Sequence, residues 1–90
     1  MDKWQKKRKD IGNRLARIEG QVRGIQRQLD AGADCEAIAA QMSATRRAME
    51  KAFFTMMSCA MVQEIEKHTA LSDEMADGVE DIGRILAKYS

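Results

Sequence analysis

The sequence contains no proline, one histidine and two cysteines, and aromatic residues make up only 4% of it. Because a structural zinc site takes four Cys or His ligands, three such residues cannot complete one within a single chain. Two cysteines also fall short of the disulfide frameworks of small secreted proteins. A domain of 90 residues has a marginal core without such supports, so the self-association of helices is the favoured source of stability.

Long apolar runs are also missing from the sequence. No stretch approaches the roughly 18 apolar residues that span a bilayer. The N-terminal segment carries consecutive bases at positions 6–9 with no apolar stretch behind them, which does not resemble a signal peptide. These features predict a cytoplasmic protein that does not enter a membrane and whose thiols are reduced.

Motifs that support catalysis are absent as well. The chain has no Gly-rich phosphate-binding loop and no Ser–His–Asp set. Its one histidine, His68, is interpreted as a cation at the C-terminus of a helix. The sequence therefore predicts that the protein is not an enzyme.

The residues that are present favour helices. Ala, Glu, Lys, Arg and Met abound while β-branched residues are sparse, which predicts an all-α fold of three helices in one domain, residues 1–90. The first helix is expected to end before Gly32, the second to run from about 35 to 67, and the third to begin near the N-cap residue Ser72. Apolar positions alternate by three and four residues in each helix: Ile11, Leu15, Ile18, Val22, Ile25 and Leu29; Cys35, Ile38, Met42, Thr45, Met49, Ala52, Met56 and Cys59; Met75, Val79, Ile82, Leu86 and Tyr89.

Such heptad spacing requires a partner helix along its whole length. Gly12, Gly20 and Gly24 interrupt the first helix, where each costs about 1 kcal/mol relative to alanine. We therefore expect these glycines to mark a close approach to another backbone.

Charge is distributed unevenly along the chain. Residues 1–28 hold nine bases against three acids, whereas the remaining 62 residues hold six bases against eleven acids. Two interpretations are open: the basic part binds a polyanion, or it is a solvated surface that pairs with the acidic part of a neighbour. Lys3 to Lys9 are predicted to form a mobile basic arm, and Arg14, Arg17, Arg46 and Arg47 to be presented on helices to a DNA backbone.

Cys35 and Cys59 lie on the same apolar seam of the second helix, about 36 Å apart along its axis. They cannot meet within that helix, but they can meet between two copies packed antiparallel about a two-fold axis near Thr45–Met49, which would give two equal sites per dimer. Two thiolates at such a site could bind a soft metal ion such as Cu(I) or react with sulfur species. Alternatively, both cysteines are small buried apolar residues.

Residues 13–25, NRLARIEGQVRGI, closely resemble the first helix of the CsoR/RcnR family of metal-sensitive transcriptional repressors. Two further features fit this family. Cys35 follows a short Gly-containing turn, and residues 41–44, QMSA, resemble the family's Gln-Ile-Ser-Ala stretch on the second helix.

The resemblance implies a three-helix protomer that forms an antiparallel four-helix-bundle dimer, and dimers that join as a tetramer. It further implies binding to operator duplex DNA through bases of the first two helices, here Arg14 and Arg17 with Arg46 and Arg47, and release by an effector. The family's effector site joins the cysteine matching Cys35 to residues near the far end of the partner's second helix.

The sequence departs from the family pattern at that far end. Copper sensors have a histidine and a cysteine where this chain has Ala60 and Glu64, and persulfide sensors also keep the latter cysteine. Nickel and cobalt members use histidines, of which none precedes His68, and formaldehyde sensors have proline in place of Asp2. Cys59 stands one residue before the usual histidine position.

Three hypotheses for the effector follow. Cys35 and the partner's Cys59 react with sulfur species or electrophiles; or the pair binds Cu(I) or another thiophilic ion; or Cys35 senses alone and Cys59 is core. Thiol-based sensing ranks slightly above Cu(I) binding, and both rank above Ni(II) and Co(II), because these borderline ions prefer nitrogen and oxygen ligands that this site scarcely offers. An alternative of a different class is a structural helical adaptor that does not bind DNA.

Overall fold

The computed structural model describes the backbone of residues 2–89 and the side chains of residues 4–89. Within these residues there are three α-helices and no strand: α1 (Asp2–Asp30), α2 (Cys35–Glu66) and α3 (Asp73–Tyr89). The all-α, three-helix prediction is confirmed, and the predicted ends of α2 and the start of α3 agree to within a residue. None of the described helices is both long enough and apolar enough to cross a bilayer. The chain divides into two compact units, with the boundary inside α2. We call residues 2–49 the first unit and residues 50–89 the second unit.

The segment from Lys3 to Lys9 is not a mobile arm, because it forms the first turns of α1; the side chain of Lys3 lies outside the described residues. No proline or glycine occurs before Gly12, so nothing in the sequence ends a helix there. The Arg8 guanidinium lies 5.9 Å from the ring centroid of Trp4, one helical turn earlier. This cation–π contact helps to hold the first turns together.

The turn between α1 and α2 has the geometry predicted from Gly32. This residue has a φ of 72°, a left-handed conformation that favours glycine. The Ala33 N–H donates to the Gln28 carbonyl over 2.9 Å and the Gly32 N–H to the Leu29 carbonyl over 3.2 Å. These bonds form a Schellman motif, which satisfies the last carbonyls of α1 and directs the chain into α2.

The apolar seams are only partly covered within one chain. Along α1, Ile11 and Ile18 are 6% and 5% exposed, whereas Val22 and Leu29 are 43% and 58% exposed. Along α2, two heptad rows differ in the same way. Ile38, Ala52 and Cys59 are buried in the first row, and Cys35, Met42, Met49 and Met56 are exposed in the second. Contiguous exposed apolar surface of this kind marks a surface for association.

The close backbone approach expected at three glycines of α1 does not occur within the chain. A Cβ atom added at Gly12 or Gly20 would have no neighbour within 4 Å, and one added at Gly24 would meet only the Arg27 side chain at 3.8 Å. The expectation is therefore not met among the described residues of one chain, and an approach to a second copy stays a prediction.

The second unit contains a close approach that the residue pattern did not indicate. Gly83 of α3 is buried against Ser58 of α2, whose hydroxyl donates to the Phe54 carbonyl over 2.9 Å. The start of α3 is fixed by Ser72, whose side-chain oxygen accepts from the Met75 N–H over 3.1 Å. This bond confirms the predicted N-cap.

We expect Gly83→Ala to lower the free energy of unfolding by about 1–3 kcal/mol, the usual cost of overpacking. The added Cβ would overlap Ser58 Oγ and would lie 3.2 Å from Ser58 Cβ and 3.3 Å from the Phe54 carbonyl oxygen. Gly78→Ala is the matched control in the same helix, because nothing lies within 4 Å of its added Cβ, and helix propensity alone should stabilise it. Urea unfolding monitored by circular dichroism measures both; equal stability of the two variants would contradict this packing.

Candidate nucleic-acid and effector sites

The four arginines assigned to DNA lie on helices of the first unit. On α1, Arg17 is exposed and Arg14 is about two-fifths exposed, with its Nε donating to Asp10 Oδ2 over 3.0 Å. Exposed ion pairs of this kind contribute well under 1 kcal/mol, so a phosphate can replace Asp10 at small cost. Arg46 and Arg47 are exposed on α2, where consecutive side chains point about 100° apart.

The first unit is basic and the second unit is acidic. Residues 2–49 hold eleven bases against six acids, and residues 50–89 hold four bases against eight acids. A polyanion is therefore attracted to the first unit and repelled by the second. This arrangement favours a DNA interface on the first unit.

The first unit also contains a groove that sequence reasoning missed. This amide groove has a volume of about 450 Å³ and is lined by Gln21, Gly24, Arg27, Gln28 and Gln41, together with the turn residues Ala31 and Ala33. Gln28 Oε1 is covered and has no hydrogen-bond partner. Gln21 and Gln41 lie in the two segments that resemble the CsoR/RcnR family, but nothing in those segments shows that the two side chains are close, and only the fold brings them to one groove.

The two cysteines differ in accessibility. Cys35 is the first residue of α2 and is exposed in the row that also holds Met42 and Met49. Cys59 is 8% exposed and belongs to the buried row. Neither forms a disulfide within the described residues. One chain therefore presents Cys35, and not Cys59, to an incoming effector.

The described residues of one chain do not contain a complete metal site. Among the described residues, no group of three or more His, Cys, Asp or Glu side chains could hold a metal ion. Ala60 is exposed and has no donor atom, and the Glu64 carboxylate lies 3.3 Å from Lys67 Nζ and 3.4 Å from His68 Nε2. Cys35 has an exposed thiol, a ligand type that soft metal ions prefer.

Known proteins similar to this chain are transcriptional repressors. A family described as metal-sensitive transcriptional repressors matches residues 7–88. One similar protein is the copper-sensing transcriptional repressor CsoR of Bacillus subtilis (strain 168), which is 35% identical over 86 residues, covering 93% of this chain and 79% of that protein. No solved structure is significantly similar to the chain. The matched range includes parts of all three helices, the four arginines and both cysteines.

Proposed function

This chain belongs to the family of metal-sensitive transcriptional repressors, and we propose that it represses transcription by binding operator duplex DNA until an effector acts at Cys35. The family consists of transcriptional repressors, so the prediction that the chain is not an enzyme is confirmed. The proposal includes action in the cytoplasm and one functional domain over residues 1–90. The DNA contacts are assigned to Arg14, Arg17, Arg46 and Arg47.

The observation that carries DNA binding is the concentration of bases on the helices of the first unit, eleven against six acids over residues 2–49. Each phosphate that an arginine neutralises releases counterions, so log K should fall by about 0.9 per phosphate contact for each unit of log salt concentration. The test is binding of the purified chain to random-sequence duplex DNA between about 50 and 200 mM salt, concentrations over which several contacts produce a steep fall in affinity. A structural adaptor would bind no duplex at any salt concentration.

The proposal includes a dimer in which two copies form an antiparallel four-helix bundle, and a tetramer made of two dimers. The exposed row of Met42 and Met49 on α2, together with Val22 and Leu29 on α1, supports it. Covering such apolar area is favourable by about 25 cal/mol per Å². The second copy would also bring further side chains to Cys35.

We expect the wild-type chain at micromolar concentration to elute as a dimer or tetramer in size-exclusion chromatography with light scattering. The double variant Met42→Glu/Met49→Glu should shift to smaller species, because two carboxylates per chain would be buried without partners. Ala40→Glu adds the same kind of charge at an exposed position on the opposite side of α2, so its oligomeric state should not change. A folded wild-type monomer would contradict the proposed assembly.

A thiophilic metal ion such as Cu(I) is the first candidate effector, although the sequence alone ranks it second. The family is metal-sensitive, and its Bacillus subtilis member CsoR is copper-sensing by name. The thiolate of Cys35 is a ligand type that selects Cu(I). In this proposal the second sulfur is Cys59 of the partner subunit, which must become accessible from its buried row.

Covalent modification of Cys35 is the second candidate, because this thiol is exposed and one chain lacks a complete set of metal ligands among its described residues. A persulfide or electrophile would then cause DNA release with no metal ion. Adding Cu(I) and a persulfide donor in separate titrations, while DNA release is monitored, distinguishes the two candidates.

A further inference from the structure

A polar stripe on α1 connects the proposed phosphate-binding arginines to the amide groove. Its members, Arg14, Arg17, Gln21, Gly24 and Gln28, are spaced by three, four, three and four positions. Residues at these spacings lie on one face of a helix, and each member here directly precedes a residue of the apolar seam. The stripe spans about 21 Å, so one ligand as long as a DNA duplex can contact both of its ends.

Apart from Arg27, the groove is lined by amide side chains and small residues, so its chemistry differs from that of Arg14 and Arg17. Gln21 and Gln41 are exposed, so their amides are available both to donate and to accept hydrogen bonds. A Cβ added at Gly24 would meet only the Arg27 side chain, at 3.8 Å. The absence of a side chain at Gly24 therefore leaves room for a ligand to approach the helix closely.

The side-chain oxygen of Gln28 indicates whether the groove binds a base or a phosphate. Its Oε1 accepts no hydrogen bond in the folded chain. Formation of a hydrogen bond between this oxygen and a donor of the ligand would therefore be favourable. The side chain is half-buried and lines the groove, so the contact requires a change of rotamer that exposes this oxygen. Phosphate oxygens only accept hydrogen bonds, whereas the amino groups of adenine and cytosine donate them at base edges in the major groove. An unsatisfied acceptor therefore matches a base edge.

We propose that the amide groove contacts base edges of the operator, so that Gln21, Gln28 and Gln41 determine sequence specificity while Arg14 and Arg17 bind phosphates. This inference rests on the proposed function and adds to it the residues that distinguish one DNA sequence from another. Glutamine pairs through both amide atoms with adenine N6 and N7, a geometry that an isolated arginine–phosphate contact does not provide.

The test starts from a pool of random-sequence duplexes, from which the wild-type chain selects its preferred sequence. The ratio of affinities for the selected duplex and for a scrambled duplex should fall about tenfold in Gln21→Ala or Gln41→Ala, the effect of removing one bidentate pairing with a base. The salt dependence should not change, because no charge is removed. Gln26→Ala is the matched control: Gln26 is exposed, and five residues from Gln21 place it on another face of α1.

Gln28→Met separates specificity from stability. Removing the unsatisfied oxygen should keep or raise the thermal midpoint, while the affinity ratio still falls. If the wild-type chain selects a sequence and all three variants keep its affinity ratio, this inference is overturned and the repressor function is not. If the wild-type chain selects no sequence and its binding does not depend on salt, the proposed function fails as well.

Discussion

Replacing Arg14 or Arg17 by alanine is expected to weaken binding to duplex DNA by about tenfold or more. A hydrogen bond to a charged group contributes about 1.5–3 kcal/mol, and the substitution would act twice in the proposed antiparallel dimer. The slope of log K against log salt should become shallower by about 0.9 for each phosphate that is no longer neutralised. Fluorescence anisotropy with a labelled duplex, measured at several salt concentrations, gives both quantities.

The matched control is Arg23→Ala, which removes the same charge from the same helix. Arg23 lies nine residues from Arg14, on the opposite face of α1, and its Nη1 donates to Glu19 Oε1 over 2.7 Å. We expect it to change the affinity far less than Arg14→Ala does. An equal decrease in both variants would indicate a general charge effect, and unchanged affinity in Arg14→Ala and Arg17→Ala would remove these residues from the interface.

Cys35→Ala is expected to abolish the response to the effector while leaving DNA binding intact. Cys35 provides the exposed sulfur at the start of α2, so its replacement removes both a soft metal ligand and the accessible nucleophile. The ratio of the DNA affinity without Cu(I) to that with Cu(I) should therefore fall to about one, because an effector that does not bind cannot change the affinity for DNA. Retention of the wild-type ratio would contradict the assignment of Cys35.

Cys59→Ala tests whether the effector site is shared between subunits. If Cys59 of the partner subunit is a ligand, this variant also loses its response. If Cys59 serves only in packing, which its 8% exposure favours, the response remains and the free energy of unfolding falls modestly because a small cavity forms. The two outcomes separate the shared site from a site on Cys35 alone.

Local features of the sequence predicted the helices and their ends well. Ser72 and Gly32 determine a helix start and a helix end through bonds to nearby backbone groups, and both were identified from residue type and position. The prediction of a mobile arm from Lys3 to Lys9 was wrong, because a run of like charges does not by itself prevent a helix. Residues of high helix propensity continue α1 through that segment.

Features that depend on tertiary packing were not predictable in this way. The contact of Gly83 with Ser58 is between α3 and α2. The amide groove is lined by Gln21 of α1 and Gln41 of α2. Heptad spacing likewise placed Cys35 and Cys59 on one seam, but it could not show which of its rows is covered within the chain. Burial separates them, leaving Cys35 exposed and Cys59 covered.

The most direct test of the proposed repressor function is whether an effector releases the protein from DNA. The reduced wild-type chain, bound to a fluorescently labelled duplex that it has itself selected, is titrated with Cu(I) without oxygen, and in a parallel titration with a persulfide donor. We expect the anisotropy to fall to the value of free duplex in at least one titration, and Cys35→Ala to show no fall in either. A complex that persists through both titrations, or a Cys35→Ala complex that is released as readily as the wild type, would contradict the proposed function.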